Sequence, residues 1–141
     1  MTDIQKCPLD LAHIEEQMVQ MNNAVPIPEN HIFSGGIYIR QIAIPKGTLV
    51  MGKRHRIETC NVLLRGVLEL YPEDGEDPVI IRGPIVFTSQ PYTKKFAYCL
   101  EDAIFMNIIP TKETDPDEVE RQVIIPEREY LESKEGLKCL L

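Results

Sequence analysis

Between Ile32 and Ile109 the apolar residues recur in short runs of period two, each closed by a turn residue. Side chains alternate between the two faces of a strand, so this pattern predicts strands rather than helices. The runs place strands near 37–44, 48–53, 60–65, 67–71, 78–82, 85–88, 95–100 and 103–109. Pro72-Glu-Asp-Gly-Glu-Asp-Pro78 reads as a hairpin tip, with Asp74-Gly75 as its turn signal. Gly66 closes one strand and lets the next begin at once. Strands this short, at spacings of roughly 8–12 residues, predict an all-β sandwich or barrel.

The flanks follow a different period. Leu11, Ile14, Met18 and Met21 recur at helical spacing behind a candidate N-cap, Asp10, which predicts a helix over 10–21. Pro26 and Pro28 break it and make 22–29 a linker. After the strands, Thr114-Asp-Pro-Asp-Glu118 has the marks of a helix start: proline suits the first helical position, and carboxylates suit the positive end of the dipole. That helix should stop before Pro126, leaving a charged tail that ends in Leu137, Leu140 and Leu141, a cluster expected to dock on its own domain or a neighbouring subunit. The organisation is an arm over 1–30, a β-domain over 31–110, and a C-terminal helix and tail over 111–141.

A chain of 141 residues, 43% apolar, has material for one core and one domain. No apolar run is long enough for a membrane span, and the N-terminus lacks the basic-then-apolar pattern of a secretory leader. The formal charge of −7 argues against a nucleic-acid partner, because phosphate contacts require a basic face. Cys7, Cys60, Cys99 and Cys139 are widely spaced and read as free thiols in a reducing, cytoplasmic compartment.

The candidate chemistry lies in Gly47 to Gly66 and in the segment after Gly83. Gly47, Lys53, His55, Thr59 and Gly66 have the spacing of the first cupin motif, Gly-x5-His-x-His-x3,4-Glu-x6-Gly; Gly83, Lys94 and Tyr98 have that of the second. The chain therefore resembles the cupin superfamily over about residues 36–110, which implies a jelly-roll β-barrel. In that resemblance Lys53 stands at the first histidine, Thr59 at the glutamate, Lys94 at the later histidine and Tyr98 at the asparagine. It also resembles small cupin-like proteins of phage and prophage genomes, through Gly36-Ile-Tyr-Ile-Arg40, Gly52 to Asn61, and Pro110-Thr-Lys-Glu-Thr-Asp115.

Residues two apart share a strand face, so Lys53 pairs with His55, Thr59 with Asn61, and Lys94 with Tyr98. If these faces meet in a barrel mouth, they form a pocket of two ammonium groups, an imidazole, hydroxyls and an amide. A protonated lysine has no lone pair for a transition ion, so no metal or other cofactor is expected. In that pocket the lysines are expected to pair with Glu58 or Glu69 or to run their long stems out to solvent; the competing expectation is a small anion, such as phosphate or a carboxylate, held by Lys53, Lys94 and His55. His31 is expected in a loop before the first strand, and Cys60 in the core on the face opposite Thr59. No Ser-His-Asp or Cys-His arrangement stands at a recognisable spacing. Three functions remain: a non-catalytic structural or assembly component, homo-oligomeric and virion-associated if phage-encoded; a small-anion or metabolite-binding module; and a metal-dependent enzyme with atypical ligands.

Overall fold

The computed structural model describes residues 8–21 and 23–140, with side chains through residue 133. Helix α1 (Leu11–Gln20) precedes strands β1 (Glu29–Ser34), β2 (Ile37–Ile44), β3 (Leu49–Met51), β4 (Thr59–Tyr71), β5 (Val79–Arg82), β6 (Ile85–Ser89) and β7 (Phe96–Pro110). Helices α2 (Pro116–Val123) and α3 (Glu127–Leu140) follow. All the strand pairings are antiparallel, in the order β1-β2-β7-β4-β5, with β3 also on β7 and β6 also on β4. This is the all-β arrangement the pattern predicts and the jelly roll the resemblance implies, with short helices at both ends. No helix among the described residues is long and apolar enough to cross a membrane.

Two long strands organise the sheet. The segments expected as 60–65 and 67–71 are one strand, β4, and those expected as 95–100 and 103–109 are one strand, β7. Their mutual pairing stays continuous because register shifts between Leu63 and Leu68 absorb the bend. Gly66 sits there at φ +95°, and a Cβ on it would lie 2.4 Å from the Asp102 carbonyl oxygen and 2.5 Å from Ala103 Cα. The bend therefore needs glycine for both its dihedral and its closeness of approach. Gly83 is held by approach alone, since a Cβ would fall 2.7 Å from Arg65 Cα.

Strand β1 was not expected. Glu29-Asn-His behind two prolines reads as linker, yet it pairs residue for residue with β2, from Glu29↔Ile42 to Ser34↔Ile37. The strand expected over 48–53 shortens to Leu49–Met51, and α3 begins within the expected tail. The helix signals hold: the Asp10 carboxylate accepts from His13 N–H, and Asp115 accepts from Asp117 N–H with Pro116 in the first turn. The side chains of Leu137, Leu140 and Leu141, and all of Cys7, lie outside the described residues.

Inside the sheet, Ile42, Ile44, Leu63, Leu68, Cys99, Ala103 and Phe105 form the main apolar cluster. A second cluster, Tyr38, Ile109, Val119 and Val123, seats α2 against β2 and β7. On the outside, Arg54 is 2% exposed and gathers distant elements by its charge. It donates to Glu73 beyond β4 at 2.8 and 2.9 Å, to Glu127 of α3 at 2.9 Å, and to the Tyr92 carbonyl at 2.6 Å, and it stacks 3.8 Å from the Tyr130 ring centroid. Lys94 adds a second cation, donating to Glu15 of α1 at 2.6 Å and to Glu127 at 3.3 Å. Burial works to raise the Glu127 carboxyl, but the hydrogen bond and charge of Arg54, with Lys94, leave it below its usual value.

Two outcomes test these constraints. Gly66→Ala is expected to destabilise the fold by more than about 2 kcal/mol. Gly35→Ala, at φ +53° with nothing within 4 Å of the added carbon, should lose about 1 kcal/mol from backbone strain alone. Urea denaturation of the two variants makes the comparison. Arg54→Ala takes the shared cation from between Glu73 and Glu127, leaving Glu127 only Lys94, and a loss of about 2–4 kcal/mol is expected, moderated by the solvent both carboxylates keep.

Candidate functional site

A cavity of about 320 Å³ opens between the sheet and α2. Its deep wall is apolar, from Ile42, Ile44, Val50, Leu68, Leu70, Ala97 and Phe105. Polar side chains form a band above that floor, and strand register explains why. His31 on β1 stands opposite Arg40 on β2, Arg40 opposite Asn107 on β7, and Asn107 opposite Asn61 on β4. Four strands thus contribute one residue each to a single inward-facing row.

Asn61 is fully buried and anchors the row. Its carbonyl accepts from Asn107 Nδ2 at 2.8 Å and from Lys95 Nζ at 2.9 Å. Its amide donates to Ser89 Oγ at 2.8 Å and, more weakly, to the Thr59 carbonyl at 3.3 Å. Lys95 lies in the cavity wall with its ammonium 5.8 Å from the centroid of the Phe105 ring. Among the described residues it meets no carboxylate, and burial pushes its pKa down to about 8.

His55 lines the same cavity. The Thr59 hydroxyl donates to the Ile57 carbonyl at 3.3 Å and so accepts from His55 Nδ1–H at 2.8 Å, an assignment made from the network. Nε2 is then left with its lone pair. Burial, followed by the charges of Lys95, Arg40 and Lys53, pushes the His55 pKa down to about 4, so the ring is neutral at physiological pH.

The two other cations at the cavity are paired, and Asp117 lines it as well. Arg40 binds Glu29, and Lys53 binds Glu120 of α2. Burial raises the Glu29 carboxyl, and the Arg40 guanidinium overrides it to leave a net lowering. His31 Nδ1 and Tyr38 Oη are hydrogen bonded at 2.6 Å, and burial raises the Tyr38 pKa so that the phenol keeps its proton. His31 is therefore part of a strand and of the cavity, not of a loop.

Of the six residues singled out from the sequence, Lys53 and His55 line the cavity, while Thr59 and Asn61 stand behind it as supports. Lys94 and Tyr98 are not in the wall. Lys94 lies in the segment before β7, where it meets α1 and α3, and Tyr98 alternates with the inward Ala97 and so faces out. Pairing of Met51 with Phe96 and of Val50 with Ala97 sends Ala97 and Lys95 inward. Nor do Glu58 and Glu69 neutralise the lysines: Lys53 takes Glu120, and Lys94 takes Glu15 and Glu127. Glu29, Tyr38, Arg40, Lys95, Asn107 and Glu120 went unrecognised, and His31 was assigned to a loop. Alternation of Glu29 with His31 and of Tyr38 with Arg40 was the available signal.

No family model matches this chain, and no curated protein matches it. Solved structures do. KdgF from Halomonas sp. superposes with a TM-score of 0.53 at 15% identity, over 70% of this chain and 90% of that one. An RmlC-like cupin family protein with a double-stranded β-helix fold from Methanocaldococcus jannaschii gives 0.52 at 13%, with the same shares of 70% and 90%. An RmlC-like cupin protein from Desulfovibrio desulfuricans gives 0.50 at 18%, over 65% and 94%. At identities this low the likeness is one of fold, and on that ground the chain is a cupin-fold protein.

Proposed function

We propose that this chain is a non-catalytic cupin-type binding module whose cavity takes a small organic anion, its charged head on Lys95 and its apolar body on the floor below. The observation that carries this reading is an ammonium group set in an apolar wall with no carboxylate partner among the described residues. A desolvated charge in that setting is costly, and an entering carboxylate offsets the cost. His55 Nε2 offers an acceptor beside it, suited to a hydroxyl or amide hydrogen on the same ligand. The volume lies at the low end of small-molecule sites, roughly 300–1,000 Å³, which fits a metabolite better than a polymer.

In this reading the metal site of the superfamily is degenerate. Where a transition ion takes three or four N, O or S donors, the chain offers the His55 imidazole beside Lys53 and Lys95 ammoniums, which lack lone pairs. The Thr59 hydroxyl is already committed to His55. Among the described residues no three His, Cys, Asp or Glu side chains gather closely enough to hold an ion. A second reading, an assembly component of the kind phage virions carry, is favoured by Val79, Ile80 and Val86, each more than half exposed near the β5 and β6 edges.

Thermal stabilisation by a panel of aliphatic and aromatic monocarboxylates is the direct test. Binding should be lost in Lys95→Met and kept in Lys94→Met; a panel that leaves the wild type unmoved at millimolar concentration removes the proposal. Affinity should fall as pH rises through about 8, where Lys95 loses its proton, and fall again in acid as the ligand's own carboxylate is protonated at about pH 4. The empty protein carries the complementary signature at His55. Its folded pKa, about 4, lies below the ordinary 6.5, so the unfolded chain binds more protons between those values. Stability from this group is complete above pH 6.5 and declines as pH falls toward 4. Denaturation of wild type and His55→Gln across that window should give a shallower slope for the variant.

A further inference from the structure

Over β1, β2, β7, the first half of β4 and β6, the sheet face turned away from the cavity has its own order, and its rows carry no acidic residue and no lysine. Inward-facing positions are even on β2 and odd on β7 and on the first half of β4. The register then defines the outward rows. One runs Ile32, Ile39, Ile108, Cys60, Thr88, and the next runs Asn30, Gln41, Met106, Val62, Val86, each crossing β1, β2, β7, β4 and β6. Ala43 and Ile104 begin a third, which ends at Leu64 and Arg65 where the bulge lies. Cys60 is accordingly on the outer surface and not in the core.

This face is open to solvent. Val86 is 66% exposed, Leu64 48% and Ile32 39%, while Ile39, Val62, Ile104, Met106 and Ile108 are half-buried by their strand neighbours. Two rows across five strands and a third across three, at about 4.8 Å between strands and about 6.8 Å between rows, make on the order of 400 Å² of projected sheet before side-chain relief is added. A stable interface removes about 600–1,000 Å² from each partner, and monomers rarely leave apolar patches this large uncovered. Charge separates the candidates for what covers it. The chain carries a formal −7, yet none of that excess lies in these rows. Two copies can meet here without like charges facing each other, whereas an uncharged face offers a different protein no electrostatic means of selection.

We propose that the outer face of β1-β2-β7-β4-β6 packs against the same face of a second copy of this chain, sheet on sheet about a two-fold axis. Alternate rows supply the interdigitating side chains, with Met106 and Val62 near the centre, Cys60 beside them and Val86 at the rim. The interface lies on the side of the sheet opposite the cavity and stands independently of any ligand there.

Light scattering on the full chain at micromolar concentration is expected to give twice the 16.1 kDa chain mass. Met106→Glu and Val86→Glu should each halve it while keeping the wild-type circular dichroism. Val86 is exposed enough to accept the charge if Met106→Glu does not fold. Alkylation read by peptide mapping supplies a second measure, with Cys60 protected in the wild type and exposed in the monomeric variants. A monomeric wild type overturns the proposal, whether Cys60 reacts freely or is shielded by the chain's own terminal segments. A dimer that survives both charged variants overturns it as well, because association must then use another surface.

Discussion

The cavity depends on one buried amide. Asn61 has two lone pairs and two N–H donors, and each has a partner: Asn107 and Lys95 on the oxygen, Ser89 and the Thr59 carbonyl on the nitrogen. Inside an apolar sheet an unsatisfied polar atom costs more than a satisfied one returns, so a partly filled set would be worse than a leucine. The set is complete, and its geometry therefore fixes where Lys95 stands. Without the Asn61 carbonyl the ammonium would have no hydrogen-bond acceptor among the described residues, and its long stem would carry it toward solvent. One hydrogen-bonded side chain thus turns a flexible cation into a positioned one.

The opposite side of the molecule uses cations differently. Arg54 and Lys94 are as buried as core residues, but each is surrounded by carboxylates drawn from distant parts of the chain. Their role is to tie α1, α3 and the turn after β4 to the barrel, and the compensation is local and nearly full. Lys95, a neighbour of Lys94 in sequence, lacks that compensation. The two lysines, in the segment that leads into β7, turn to opposite sides, so that one takes a structural role and the other keeps an uncompensated charge.

Much of the fold was legible because its signals are local. Asp10 and the Asp115-Pro116 pair cap helices where they were expected, and Gly66 marks a real bend. What was missed is set by pairing between distant segments. Strand β1 carries Glu29, Asn30 and His31 behind two prolines, a composition that says linker, and β2 alone makes it a strand. The choice between Lys94 and Lys95 turns on the register of Met51 against Phe96, which two adjacent identical residues cannot report. Arg54 sits between Lys53 and His55, and its partners Glu73 and Glu127 lie 19 and 73 positions away. Motif spacing located the site's neighbourhood, and long-range register decided its members.

The same register joins the two surfaces. On β7, Asn107 points into the cavity while Met106 and Ile108 on either side of it point out; on β4, Asn61 points in between Cys60 and Val62. The polar row and the apolar rows are thus opposite faces of one sheet layer, a single backbone apart. A partner packed on the outer face would constrain the strands that position Asn61, and hence the acceptor that holds Lys95. Substitutions on one side are then not independent of the other, because neighbouring residues sharing a backbone couple where distant ones add. An outward residue such as Val62 or Met106 touches no part of the cavity, yet it borders the amide on which the cavity's charge depends.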